Sequence, residues 1–122
     1  MILVDTSVWV DHLRKGDQVL GRLLFAGRVL AHPFIVGELS LGVLRQREAV
    51  LGALMDLPQA TIATEEEVFR FIEANGLPGS GIGYVDAHLL AATRLTPGAA
   101  LWTRDKRLSE VAERLGLATH PA

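Results

Sequence analysis

Cysteine is absent from the 122 residues, so no disulfide, thiolate zinc site, iron–sulfur cluster or cysteine nucleophile can form. That absence fits a reducing compartment. No apolar run approaches the roughly 18 residues of a membrane span. The opening Met1-Ile2-Leu3-Val4-Asp5 has no basic segment and its apolar run stops at an acid, which argues against a secretory signal. The expectation is a cytoplasmic chain that does not enter a membrane. Neither charge dominates: 12 basic residues stand against 14 acidic ones, a formal −2, so a strongly basic coat for nucleic acid is excluded while local basic patches are not. Repeats, low-complexity tracts and long linkers are also missing.

What is present is an ordinary globular composition, 49% apolar and 21% charged, in a length suited to a single domain over residues 1–122. Short β-rich runs alternate with helical patterns. Ile2–Val4 reads as a buried strand, and Thr6 or Ser7 as the cap of a helix running to about Lys15. Asp17 suits the cap of another, to about Ala26, and Val29–Ala31 a second strand. Pro33 fits the first turn of a helix continuing past Arg45, followed by a further helix to about Met55. Thr61–Ala63 is a candidate third strand. Thr64 and Glu67 form a capping box, and Asn75-Gly76 ends the helix it opens. After a glycine-rich loop over Leu77–Gly83 come a helix from Tyr84 to Leu95, a strand over Ala99–Trp102 and a last amphipathic helix through Leu108, Val111, Ala112 and Leu115. Gly116 stops that helix, and Leu117–Thr119 suits an edge strand. This alternation predicts an α/β fold, a short parallel sheet with helices on both faces, whose ligands gather beyond the carboxyl ends of the strands.

Most of the acids have ordinary explanations. Glu65, Glu66 and Glu67 complement a helix dipole, and Asp11 has Arg14 and Lys15 three and four residues on. Four do not fit this pattern. Asp5 and Asp105 follow apolar strands, while Glu38 and Asp86 have apolar neighbours at helical spacing, which turns them inward. None has a base at i±3 or i±4 within its own stripe. An ionised carboxylate turned toward a core is costly unless paired or metal-bound. Gathered in one pocket, the four would repel until one or more held a proton at neutral pH, and a divalent cation removes that conflict. All-oxygen ligation selects Mg²⁺ or Mn²⁺. Asp5 and Asp105 are equally suited to cap the helices that follow them, so the argument lies in the set of four.

Setting these four aside leaves 12 basic against 10 acidic residues, and seven of the basics fall in three clusters: Arg14-Lys15, Arg45 with Arg47, and Arg104, Lys106 with Arg107. Such clusters suit either the rim of a polyanion site or solvated helix ends. His12, His32, His88 and His120 have no metal-ligand spacing. The run Gly79-Ser80-Gly81-Ile82-Gly83 resembles a phosphate loop only superficially, following a helix terminator and lacking a lysine.

The segments Asp5-Thr6-Ser7-Val8-Trp9, Ile35-Val36-Gly37-Glu38-Leu39, Tyr84-Val85-Asp86-Ala87 and Leu101-Trp102-Thr103-Arg104-Asp105 resemble, in order, the four motifs of PIN-domain nucleases, and most nearly the VapC-type toxins of bacterial toxin–antitoxin pairs. The resemblance spans the whole chain, and its first and last motifs are the specific ones. It implies a three-layer α/β/α domain and a Mg²⁺- or Mn²⁺-dependent endoribonuclease. Asp5, Glu38, Asp86 and Asp105 would be the metal-binding catalytic acids, Thr6 a hydroxyl orienting Asp5, and Thr103 a group for water or phosphate. An RNA substrate, a cognate antitoxin and a homodimer are implied as partners, with Trp9 and the helix around Phe34–Leu44 as candidate surfaces. Where some members carry a further acid after the last motif, this chain has Lys106 and Arg107, which leaves one or two ions open. A housekeeping RNA-processing nuclease is the alternative within the family. A Mg²⁺-dependent phosphatase with Asp5 as nucleophile is the alternative outside it, although Ser7 occupies the place where such enzymes usually carry a second acid.

Overall fold

The computed structural model describes all 122 residues. Strand β1 (Ile2–Val4) is buried along its whole length, as three consecutive apolar residues covered on both faces require. It lies in the middle of a three-stranded parallel sheet, between β2 (Val29–Leu30) and β3 (Ala100–Trp102). Ile2 stands opposite Val29 and Ala100, and Val4 opposite Trp102. Single parallel bridges, Ala31 to Gln59 and Leu101 to Ala118, extend the sheet at either edge.

Seven helices complete the chain: α1 (Thr6–Lys15), α2 (Gln18–Phe25), α3 (Pro33–Ser40), α4 (Arg47–Asp56), α5 (Glu65–Ala74), α6 (Tyr84–Leu95) and α7 (Lys106–Arg114). With the sheet they make the three-layer α/β/α arrangement. Helix α1 packs on α3, α3 on α4, and α6 on both α5 and β3. One apolar cluster runs through the layers, with Leu3, Val8, Ile35, Leu89, Leu90 and Leu108 fully buried. No helix is long and apolar enough to cross a membrane.

Two expectations are corrected. The helix opened by Pro33 ends at Ser40, before Arg45. Its last amides turn back three residues, Leu41 N to Glu38 O and Gly42 N to Leu39 O, and Gln46, with φ +53, starts α4 afresh. Residues 61–63 form no strand, because β2 has one residue left to pair before α3 begins. Ala31 accepts from Ala60 N and donates to Pro58 O, so the bridge forms at Gln59 instead.

Candidate active site

The register of β1 on β3 brings two chain segments to one edge of the sheet. Asp5 N donates to Trp102 O (2.9 Å), so Asp5 and Thr103 leave their strands side by side. Asp5 is buried and caps α1. Its Oδ2 accepts from Ser7 Oγ (2.8 Å) and Thr103 Oγ1 (2.7 Å). Both hydroxyls are held from behind, Ser7 Oγ by the Arg104 amide and Thr103 Oγ1 by the Asp105 amide. Asp105 in turn caps α7, its Oδ1 accepting from Leu108 N (3.0 Å). From α3, Glu38 Oε1 accepts from Thr6 Oγ1 (2.8 Å), and from α6, Asp86 Oδ2 accepts from Gly83 N (3.2 Å).

Each of the four carboxylates thus has one oxygen held by a protein donor and the other without one. None pairs with a base; every Asp or Glu in an ion pair lies elsewhere. Burial pushes the Asp86 carboxyl above the usual carboxylate range, and the charges of Asp5, Asp105 and Glu38 push it further in the same direction, against the Gly83 amide. Asp86 therefore lies within the field of the other three acids. No three of the four are drawn together into a closed ligand group. Oxygen donors, a held oxygen on each and no basic counterion are compatible with a divalent cation.

Several roles differ from those expected. Glu38 is exposed rather than turned inward, because Leu41 and Gly42, half of its supposed apolar stripe, lie beyond the end of α3. Thr6 serves Glu38, and the hydroxyls that orient Asp5 belong to Ser7 and Thr103. A helix cap reaches the second and third residues of its helix, not the first, so Ser7 was legible for this role from its place two residues after Asp5. Thr103 is buried and its proton is spent on Asp5, which leaves it unsuited to hold water or phosphate. Trp9 is also buried and offers no docking surface. Arg104 is no free rim cation either. Its guanidinium pairs with Asp11 and Asp17 and lies 5.5 Å from the centre of the Trp102 ring.

A domain of the PIN family matches residues 2–114. The chain belongs to the PIN-domain family. Among curated proteins it is similar to Ribonuclease VapC32 of two Mycobacterium tuberculosis strains, CDC 1551/Oshkosh and ATCC 25618/H37Rv. Each is 47% identical over 118 residues, which is 97% of this chain and 95% of theirs. The PIN match runs from β1 to the end of α7 and so encloses all four acids.

Proposed function

We propose that this PIN-domain protein is a VapC-type endoribonuclease, the toxin of a toxin–antitoxin pair, acting in the cytoplasm with Asp5, Glu38, Asp86 and Asp105 holding Mg²⁺ or Mn²⁺. The observation that carries this reading is the set of four base-free carboxylates, each with one oxygen held and one without a protein donor. When bound, the ion would polarise the scissile phosphate and lower the pKa of an attacking water. The chain's own part is positional and electrostatic. Ser7 and Thr103 fix Asp5, and the Leu108 amide fixes Asp105, so both present a preset oxygen. Asp86, with its raised proton affinity, is the acid best suited to take the proton of the attacking water. The name of the 47% identical relative supports RNA as the substrate.

Partners follow from the same reading. A groove of about 650 Å³ starts at Thr6 and Glu38 and runs between α1 and the 41–46 loop, lined by Val10, Leu13, Val43 and Leu44 with Arg14 and Arg45 at its rim. It suits an apolar antitoxin segment that reaches the acids. Phe34 and Tyr84 stand partly exposed against His88, with Phe69 beside Tyr84, and suit a homodimer contact.

The test is digestion of total RNA by the purified protein with Mg²⁺ or Mn²⁺, with the new ends mapped. Discrete metal-dependent ends are expected, and Asp5→Asn lowers cleavage at least ~100-fold with its melting temperature unchanged or raised. Equal cleavage in chelator, or by Asp5→Asn, contradicts the reading, and unfolding of that variant assigns Asp5 a structural role.

A further inference from the structure

One side chain bridges the segment that carries Asp105 and the segment that leads to Asp86. Arg107 is the second residue of α7, and its side chain lies on Gly81, in the loop that enters α6. A Cβ at residue 81 would stand 2.7 Å from Arg107 Nη1 and 3.1 Å from its Cδ. Gly81 also has φ +86, in the left-handed region. The left-handed backbone therefore favours glycine at residue 81, and a side chain there would displace the guanidinium that crosses it.

Arg107 is exposed and its guanidinium is unspent. Arg107 makes no ion pair, in contrast to Arg14, Arg70 and Arg104. It donates to no carbonyl, in contrast to Arg94 and Arg114. It also sits where a cation is unfavourable, since the first turn of a helix is the positive end of its dipole and α7 has no acid there beyond its cap. An exposed guanidinium at a disfavoured position, with its donors free, suits an anion that arrives with a ligand. The amides of Gly79, Gly81 and Ile82, in the same loop, take no backbone acceptor. The glycine run lacks a lysine of its own, and α7 supplies the missing cation from the side.

We propose that Arg107, lying across Gly81, binds a phosphate of the RNA strand next to the scissile one, on the side of the acidic cluster formed by Asp86 and Asp105. This rests on the ribonuclease reading above. Arg107 would then set the direction in which the strand crosses the acids.

The experiment is steady-state cleavage of a single-stranded oligoribonucleotide with a defined cut site, alongside a set in which one linkage at a time is a neutral methylphosphonate. For the unmodified protein, neutralising one flanking linkage raises KM about tenfold, and its other neighbours have smaller effects. Arg107→Gln raises KM on the native oligonucleotide by a similar factor with kcat within about twofold. It lowers the slope of log affinity against log salt by about 0.7 and is insensitive to neutralising that linkage. Arg107→Lys recovers part of the loss, and Arg22→Gln, on remote α2, leaves the slope unchanged. Because the linkage scan uses the unaltered protein, it stands even if a variant folds poorly. A scan with no distinct flanking position, or an Arg107→Gln defect that adds to every neutral linkage, overturns the subsite while leaving the ribonuclease reading intact. Failure of the unmodified protein to cut the native oligonucleotide overturns both.

Discussion

Asp86 binds its proton more tightly in the fold than in the unfolded chain, from burial first and then from the other three acids. Its contribution to stability is therefore most favourable in acid and is lost as pH rises from the unfolded value of 3.8 through the raised folded value. Asparagine keeps an oxygen for the Gly83 amide and removes the charge. In chelator at pH 7, Asp86→Asn is expected to melt above the unaltered protein, with the gap closing below pH 3.8. Adding Mn²⁺ is expected to reverse the order if the intact set of four acids binds the ion. A variant that melts lower in chelator at neutral pH contradicts the shared field. The four acids stand out in the sequence because each follows a strand or lacks a base at helical spacing. Of the hydroxyls that hold Asp5, Ser7 was legible from its place two residues on, whereas Thr103 depends on the register of β1 on β3.

At the scale of elements, α3 begins on an unusual cap. His32 is fully buried, and its Nδ1 accepts from Phe34 N (3.0 Å), a role open only to the neutral ring. Burial, and secondarily the charge of His88, lower its pKa to about 4. The unfolded chain takes up this proton first, so stability falls as pH drops from 6.5 toward about 4, by roughly 3 kcal/mol in full. His32→Asn retains a cap acceptor but leaves a void. It should melt lower at every pH and show a shallower decline over that window; an equal slope would remove His32 from the account. Helices with strong end signals were legible. The box of Thr64 and Glu67 opens α5, and α6 spans Tyr84–Leu95 as its pattern indicates. The end of α3 was not, because the apolar pattern continues through Leu41, Val43 and Leu44 although the backbone turns at Leu41 and Gly42. Val43 and Leu44 are apolar on account of the groove they line, not of a helix face.

Across the whole molecule, sheet register determines which distant residues meet. Pairing Val4 with Trp102 sets Asp5 beside Thr103, and α3 and α6 bring Glu38 and Asp86 to the same field. Arg104 ties this edge together from behind by joining the end of β3 to Asp11 of α1 and Asp17, the cap of α2. Alternating strands and helices made the three layers legible in advance. The partners of individual basic residues were not, since they depend on contacts across some ninety residues, as between Arg104 and Asp11. The central claim is that residues 5, 38, 86 and 105 form one cation site. Titrating the purified protein with Mn²⁺ while following the unbound ion by electron paramagnetic resonance tests it directly. The account predicts saturable binding that Asp5→Asn, Glu38→Gln, Asp86→Asn and Asp105→Asn each weaken at least ~10-fold. No saturable binding, or binding that all four variants retain, would contradict it.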